Sequence, residues 1–322
     1  MCVNCIPLIK AIDAYIENAD SDLADELDEQ GYAKPEKTVE FIQDIEDGVA
    51  EALLEETDYI LEEAEKAIDL EAFAEDVWPG VKLNDAVKEK LVKIFVENFE
   101  KFMPELIEFY IAQTDRDLKL AQISKRTMAW IEEWSEDLGE IMKLNSHDEI
   151  ERILKKGLDG GNSIAEFTRE IRDSGIRDEY YKARRVSVTE VLTAHRAAQQ
   201  EAFMQSPAVT GKLWRHTGSY RNEPRQNHVD MDGQRVPVGE PFDLTGADGG
   251  SYSPMFPGDP ILPPGERINC HCIEQPVVDD DILVMPLEER QRLQQEAVDA
   301  MDEEWENELN ERNKAKAGID KD

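Results

Sequence analysis

R-R-V-S-V-T-E (residues 184–190), W-R-H (214–216), N-H-V-D-M-D-G-Q (227–234), E-P-F (240–242), P-G-D-P (257–260) and I-N-C-H-C (268–272) follow one another in a single stretch of this chain. Asp232-Gly233 is a strong turn signal immediately ahead of an extended run. The pattern predicts strands over Lys212–His216 and Gln234–Val238. Gly and Pro crowd the span from Pro237 to Pro264, which implies turns and extended loops rather than helix. Upstream, a helix from about Arg177 to Met204 stops before Pro207 and carries the 184–190 segment.

Working outward, residues 1 to about 145 read as helix after helix. Leu8, Ile9, Ile12, Tyr15 and Ile16 recur at helical spacing. So do Val39, Ile42, Ile45, Val49, Leu53, Ile60, Ala64 and Ile68, with acidic residues between them. Asn84 is the expected N-cap of a helix through Val87, Leu91, Phe95, Phe99 and Met103, with a kink at Pro104. A further helix follows Ser124 with Trp130, Trp134, Leu138 and Ile141. These aromatic stripes predict core. Two short helices come next, opened by the capping boxes Ser146–Glu149 and Ser163–Glu166. Gly157 and Gly160-Gly161 separate them, and Ser174-Gly175 ends the second. Beyond Asp279-Asp280-Asp281 the helical pattern returns from Pro286 to about Ala317.

The expected fold class is therefore α+β: a mostly helical N-terminal region, a small mixed module and a C-terminal helix. The expected segments are an acidic helical domain (1–145), connecting helices (146–180), the module (181–276) and an acidic helical tail (277–322).

The formal net charge of −36 over 322 residues keeps such a chain soluble and argues against a protein that coats nucleic acid. The charge is uneven. Residues 181–275 hold 10 basic against 11 acidic residues, so nearly all the surplus lies on either side. The first residues lack the basic start and long apolar run of a secretory signal, and no stretch is apolar enough to span a bilayer. Four cysteines in this length are no disulfide framework, and a reducing cytoplasm is the expected place of synthesis.

The order and spacing of the quoted motifs resemble the phage head morphogenesis family, the Mu F-like minor capsid proteins. The resemblance runs over about Asn162 to Gln275 and is most specific in the D-G, P-G-D-P and N-C-x-C elements. It marks Thr189, Glu190, Asp232, Gly233, Pro257, Asp259 and Asn269 as structural motif positions. It implies a minor head protein of a tailed bacteriophage, carried in the virion and made in the host cytoplasm. The implied partner is the portal protein, with scaffold or major capsid protein as others, and the implied role is in procapsid assembly and DNA packaging or delivery. No membrane is implied. Because only a helical tail follows the module, no appended enzyme is expected.

Two departures from the family pattern matter. Val188 stands where relatives carry an arginine before Thr-Glu. Many relatives also place C-x-x-C ahead of the D-G turn, enough with the later N-C-x-C for a four-ligand zinc site. Here Arg225 and His228 occupy those two positions. His228, Cys270 and Cys272 are what remains of the set, with Asp230 or His271 as the expected fourth ligand. No cofactor is required by the motifs; zinc is the one the resemblance admits. With Cys270 and Cys272 read as neighbours on one strand, their side chains point to opposite faces and make a poor disulfide.

Other readings stay open. A metal-dependent nuclease or other hydrolase would draw on His228, Asp230 and the Cys270/Cys272 pair, and His195, His216, His271, Asp232 and Asp259 lie in or near the module. Yet no H-E-x-x-H, G-x-S-x-G or phosphate-loop spacing is present. Arg215, Arg221, Arg225 and Arg235 could give the module a basic patch for DNA. Cys2-x-x-Cys5 could be redox-active, half a zinc site, or the partner of Cys270 and Cys272 in a four-thiolate set. The proline-rich loop 257–265 offers few backbone N–H groups, so it suits a rigid span rather than a phosphate cradle.

Overall fold

The computed structural model describes residues 20–218 and 223–317, apart from the side chains of 174–181. Cys2, Cys5, the 8–16 helix and Arg221 lie outside the described residues. The helices are residues 20–29 (α1), Pro35–Glu65 (α2), Leu70–Ala72 (α3), Trp78–Asn84 (α4), Val87–Thr114 (α5), Lys125–Gly160 (α6) and Ile164–Gln205 (α7). One π-helical turn, Phe73–Val77, joins α3 to α4. After α7 come β1 (Val209–Arg215), α8 (Gln226–Asp230), β2 (Arg235–Pro237), β3 (Leu244–Thr245), β4 (Ser251–Tyr252), α9 (Pro264–Arg267), β5 (Ile273–Val278), α10 (Asp280–Leu283) and α11 (Leu287–Lys316). The fold is thus α+β, helical with small antiparallel sheets, and it ends in a long helix.

The chain divides into two compact units that interleave along it. Of the described residues, unit 1 holds those within 20–41, 101–129 and 189–317, and unit 2 holds 42–100 and 130–188. In unit 2 the apolar stripes meet in a core of Ile60, Leu61, Phe73, Trp78, Ile150, Leu154, Phe167 and Ile171. The 3.6-residue period that predicted the helices is the period that puts these side chains on one face.

Several helix ends differ from the sequence-based expectation. Ser146 does not open a helix. It sits inside α6, and its Oγ donates to Glu56 Oε2 at 2.6 Å. The capping box at Ser163 is real: Ser163 N and Oγ both donate to Glu166 Oε2 at 2.8 Å. Ser174-Gly175 does not stop the second helix, because α7 runs through it. Glycine inside a helix costs only about 1 kcal/mol, which neighbouring turns can carry. The cap of α5 is Asp85, not Asn84: Asp85 Oδ1 accepts from Val87 N at 2.8 Å, while Asn84 closes α4. α5 continues through Pro104.

In unit 1 the central strand is β1, paired antiparallel with β2 on one side and β5 on the other. The Asp232-Gly233 turn works as expected. Gly233 has φ +82°, open to glycine without strain, and its N–H donates to Trp214 O at 2.8 Å. Trp214 is fully buried, edge-on to Phe242 and to His228, in a core with Met231, Leu244, Leu262, Cys270 and Cys272. Truncating a buried tryptophan to alanine costs about 3–5 kcal/mol, so this side chain is the main apolar anchor of the sheet. β5 had no clear sequence signal, because Pro276 interrupts its pattern.

Candidate metal centre

Three short pieces of chain deliver donor atoms to one place. β1 ends at Arg215, and the next residue, His216, is fixed by its N–H donating to Asp232 Oδ1 at 2.9 Å. The single-turn helix α8 presents His228. The turn between α9 and β5 presents Cys270 and Cys272, with Asn269 at φ +57° redirecting the backbone. Asparagine tolerates that left-handed conformation better than most residues.

Cys270 and Cys272 are therefore not strand neighbours, and the alternating-face expectation fails. Both sulfurs face the same ring nitrogen: Sγ of Cys270 and of Cys272 lie 3.6 and 3.7 Å from His228 Nδ1. The sulfur of Cys272 is also 3.5 Å from His216 Nδ1. His228, Cys270 and Cys272 are buried, and their donor atoms all lie within 4.8 Å of one another. The cleft they line with His216 has about 30 Å³ of space, the size of one small ion or water.

The far side of His228 fixes its proton. Its Nε2 lies 2.9 Å from Glu266 Oε2, which also accepts from Asn227 Nδ2 at 3.0 Å. The other oxygen, Oε1, accepts from Ala247 N at 2.6 Å. Burial opposes ionisation of Glu266, yet the Ala247 N–H, Asn227 and His228 hold its carboxyl below the usual range. An ionised Glu266 accepts the hydrogen bond from Nε2–H, so the Nδ1 side of the His228 ring faces the two sulfurs. A carboxylate behind an imidazole in this way is the ordinary outer support of a metal-binding histidine.

In the metal-free balance of charges, the hydrogen bond from Cys272 and the neighbouring His228 push the Cys270 thiol down, and the same bond with burial pushes Cys272 up. Burial works against charge on His228, but the Cys270 and Glu266 contacts outweigh it and raise its pKa.

This donor set fits zinc. With Zn–S near 2.3 Å and Zn–N near 2.0–2.1 Å, the S···N edge of a tetrahedral site is about 3.6 Å. The three S···N separations match that edge, from 3.5 to 3.7 Å. The expected fourth ligands are not brought in. Asp230 is held on the surface by Gln226, and His271 turns its Nδ1 to Gln30 Oε1 at 2.9 Å. His216 is the remaining nitrogen donor at hand, 3.5 Å from the Cys272 sulfur but outside the set of three whose donor atoms all lie within 4.8 Å of one another. Sequence reasoning missed it because its spacing to the other donors is irregular; the strand-end position beside the D-G turn was the available signal. Glu266 gave no signal, since it lies on a four-residue helix inside a proline-rich loop.

The remaining motif residues hold the module together. Glu190 Oε1 accepts from Arg267 Nη2 at 2.5 Å, tying α7 to α9 two turns of chain from the thiols. Thr189 lends its carbonyl to Thr193 Oγ1 at 2.9 Å. Asp259 folds the P-G-D-P loop by accepting from Met255 N at 2.8 Å and Ile261 N at 3.1 Å, beside Pro257. Arg225 donates to Ile268 O, and Arg215 lies 3.5 Å from Asp232. His195 is buried against Ala33 and Tyr110 and belongs to no reactive cluster.

β1, β2, the donor cluster and the long helix before them lie within the segment that matches a known family. Residues 148–274 match the family model for Phage Mu protein F like protein, against 162–275 expected from the motifs. The chain belongs to this Mu F-like family of structural phage head proteins. It is also similar to the uncharacterized protein YqbB of Bacillus subtilis (strain 168). They are 33% identical over 315 residues, covering 92% of this chain and 98% of that protein. No solved structure matches. Among the described residues, no helix is long and apolar enough to cross a membrane.

Proposed function

We propose that this chain is a minor head protein of a tailed bacteriophage. It docks on the portal during procapsid assembly, helps DNA packaging or delivery, and is carried in the virion. The observation that carries this reading is the family module at 148–274 inside a chain whose long acidic helices extend well beyond it. Acidic helices suit a basic or mixed-charge protein surface. They repel a DNA backbone, which makes the nearly neutral module the only part suited to touch DNA.

Within this reading His216, His228, Cys270 and Cys272 would hold zinc, with Glu266 behind His228. Zinc supplies a cross-link there between the end of β1, α8 and the turn before β5, and such sites contribute folding energy outright. The residues themselves position that cross-link: Asp232 orients His216 and Glu266 sets the tautomer of His228. The donor atoms of His228, Cys270 and Cys272 are buried within 4.8 Å of one another, with His216 beside Cys272, and such burial favours a structural over a hydrolytic role.

Co-expression with the cognate portal protein, followed by sedimentation, tests the assembly role. Co-migration at moderate salt is expected, and separate migration would defeat it. Zinc content of the full chain, with a DNA-cleavage assay on zinc-loaded protein, tests the centre. Bound zinc without cleavage is the expected result.

A further inference from the structure

Unit 2 contains a second set of ligand-type side chains with no part in the module. Glu56 comes from α2, Asp85 from the link between α4 and α5, and His147 from α6. All three are buried, and one donor atom from each lies within 4.8 Å of the other two. Each carboxylate has one oxygen held by an outer partner. Ser146 Oγ takes Glu56 Oε2 at 2.6 Å, and Val87 N takes Asp85 Oδ1 at 2.8 Å. The other oxygens converge on His147 Nε2, with Asp85 Oδ2 at 2.6 Å and Glu56 Oε1 at 3.8 Å. Trp78 closes the far side, edge-on to the imidazole at 5.6 Å.

We propose that Glu56, Asp85 and His147 form a second metal centre, for a divalent transition cation such as Zn²⁺. Three ligand-type side chains from three separate elements thus meet at one buried point, with one oxygen of each carboxylate held outside and the other turned toward the imidazole. Outer contacts of this kind orient the ligands of a metal site. Metal–ligand bonds of 2.0–2.1 Å give an N···O edge of about 3.3 Å. That lies between the two observed separations, so a modest rotation of each carboxylate admits the ion. One imidazole with two carboxylates favours zinc, cobalt or manganese over magnesium, which prefers an all-oxygen shell.

Titration of the full-length chain with Co²⁺ separates this centre from the thiol one. A cobalt–thiolate site shows an intense near-ultraviolet charge-transfer band, whereas a nitrogen–oxygen site shows only weak visible bands. Two equivalents are expected, one of them with the charge-transfer band. In His147→Gln the silent equivalent should disappear and the band should remain. In the Cys270→Ser/Cys272→Ser chain the band should vanish and the silent equivalent stay. If His147→Gln loses wild-type helicity, Asp85→Asn decides, because it keeps the Oδ1 acceptor that caps α5. There the silent site should weaken by more than about 100-fold, beyond the loss typical of an outer-sphere change. A wild-type chain that binds only the thiolate equivalent, or an Asp85→Asn chain that binds two with unchanged affinity, overturns the proposal. Loss of the band alone in the wild type would sink the thiol centre and leave this one standing.

Discussion

His195 offers a clean test of how burial governs the N-terminal part of unit 1. It lies on α7, fully enclosed, edge-on to Tyr32 and Tyr110. Its Nε2 lies 3.1 Å from Ala33 O, and Tyr110 Oη is 3.5 Å from its Nδ1. Only the neutral ring fits, with the proton on Nε2 and the Nδ1 lone pair toward the phenol. Burial pushes the imidazole from its ordinary 6.5 down to about 4.

The sign follows from linkage. The folded pKa lies below the unfolded one, so between pH 6.5 and 4 the unfolded chain binds a proton that the native state refuses. The stability contributed by neutral His195 is full above pH 6.5 and is lost as pH falls toward 4. At 1.36 kcal/mol per pKa unit the loss is about 3 kcal/mol. His195→Phe removes this dependence. At pH 7 the variant gives up one neutral hydrogen bond and some fit, about 1–2 kcal/mol. Ala33 O keeps a second donor, Thr38 Oγ1 at 3.3 Å, so it is not orphaned. The wild type should therefore be the more stable at pH 7, the two should cross near pH ~5, and the variant should lead at pH 4. Urea unfolding at fixed pH, with the imidazole titration followed by NMR, measures both sides. A difference between the two proteins that stays constant from pH 7 to 4, with His195 titrating at its ordinary value, would refute the reasoning.

Lys212 and Glu274 are both fully buried across β1 and β5, with Nζ 3.6 Å from Oε1. Lys212→Met should lower stability by about 3–5 kcal/mol in urea unfolding, and adding Glu274→Leu should restore most of it. Gly258 has φ +80°, and a Cβ there would run into the Arg196 guanidinium. Gly258→Ala should cost at least about 1–3 kcal/mol and open the P-G-D-P loop to limited proteolysis. Removing metal with a strong chelator should raise hydrogen exchange over 226–234 and 266–274; a metal-binding equilibrium at a thousand times Kd supplies about 4 kcal/mol. His228→Ala should reproduce the chelated exchange pattern, and unchanged exchange in both would count against the centre.

The parts of the fold legible in the sequence are those set by local chemistry. The apolar period in α2, α5 and α6 gave helices because a buried stripe must recur every turn. Ser163–Glu166 gave a helix start because both of its hydrogen bonds are local. Asp232-Gly233 gave its turn for the same reason. What failed was decided by distant partners. Ser146 looks like a cap by spacing, yet its hydroxyl is engaged by Glu56, ninety positions earlier. β5 contains a proline and still forms, because β1 pairs along it on both sides of Pro276, with a register shift between Val209 and Gly211. Cys270 and Cys272 were found as a pair, but their common face depends on the left-handed Asn269 between helix and strand. His216 and Glu266 could be assigned only once β1 and α9 were placed around His228.

The same contrast bears on the two ligand positions at which this chain departs from the family pattern. Relatives that carry C-x-x-C before the turn place both of those ligands in one local segment. This chain has Arg225 at the first of those positions, and the guanidinium is used instead to hold the Ile268 carbonyl next to the thiol turn. In the proposed centre His216, at the end of β1 and fixed through its N–H by Asp232 of the turn, would stand in for the missing donor. α8 and the turn before β5 bring three donors together, and a fourth from His216 would need the end of β1 in register as well. Metal affinity then reports on the folding of the whole sheet rather than of one loop. Under the docking role proposed above, a misregistered sheet would bring together neither the full donor set nor the docking surface.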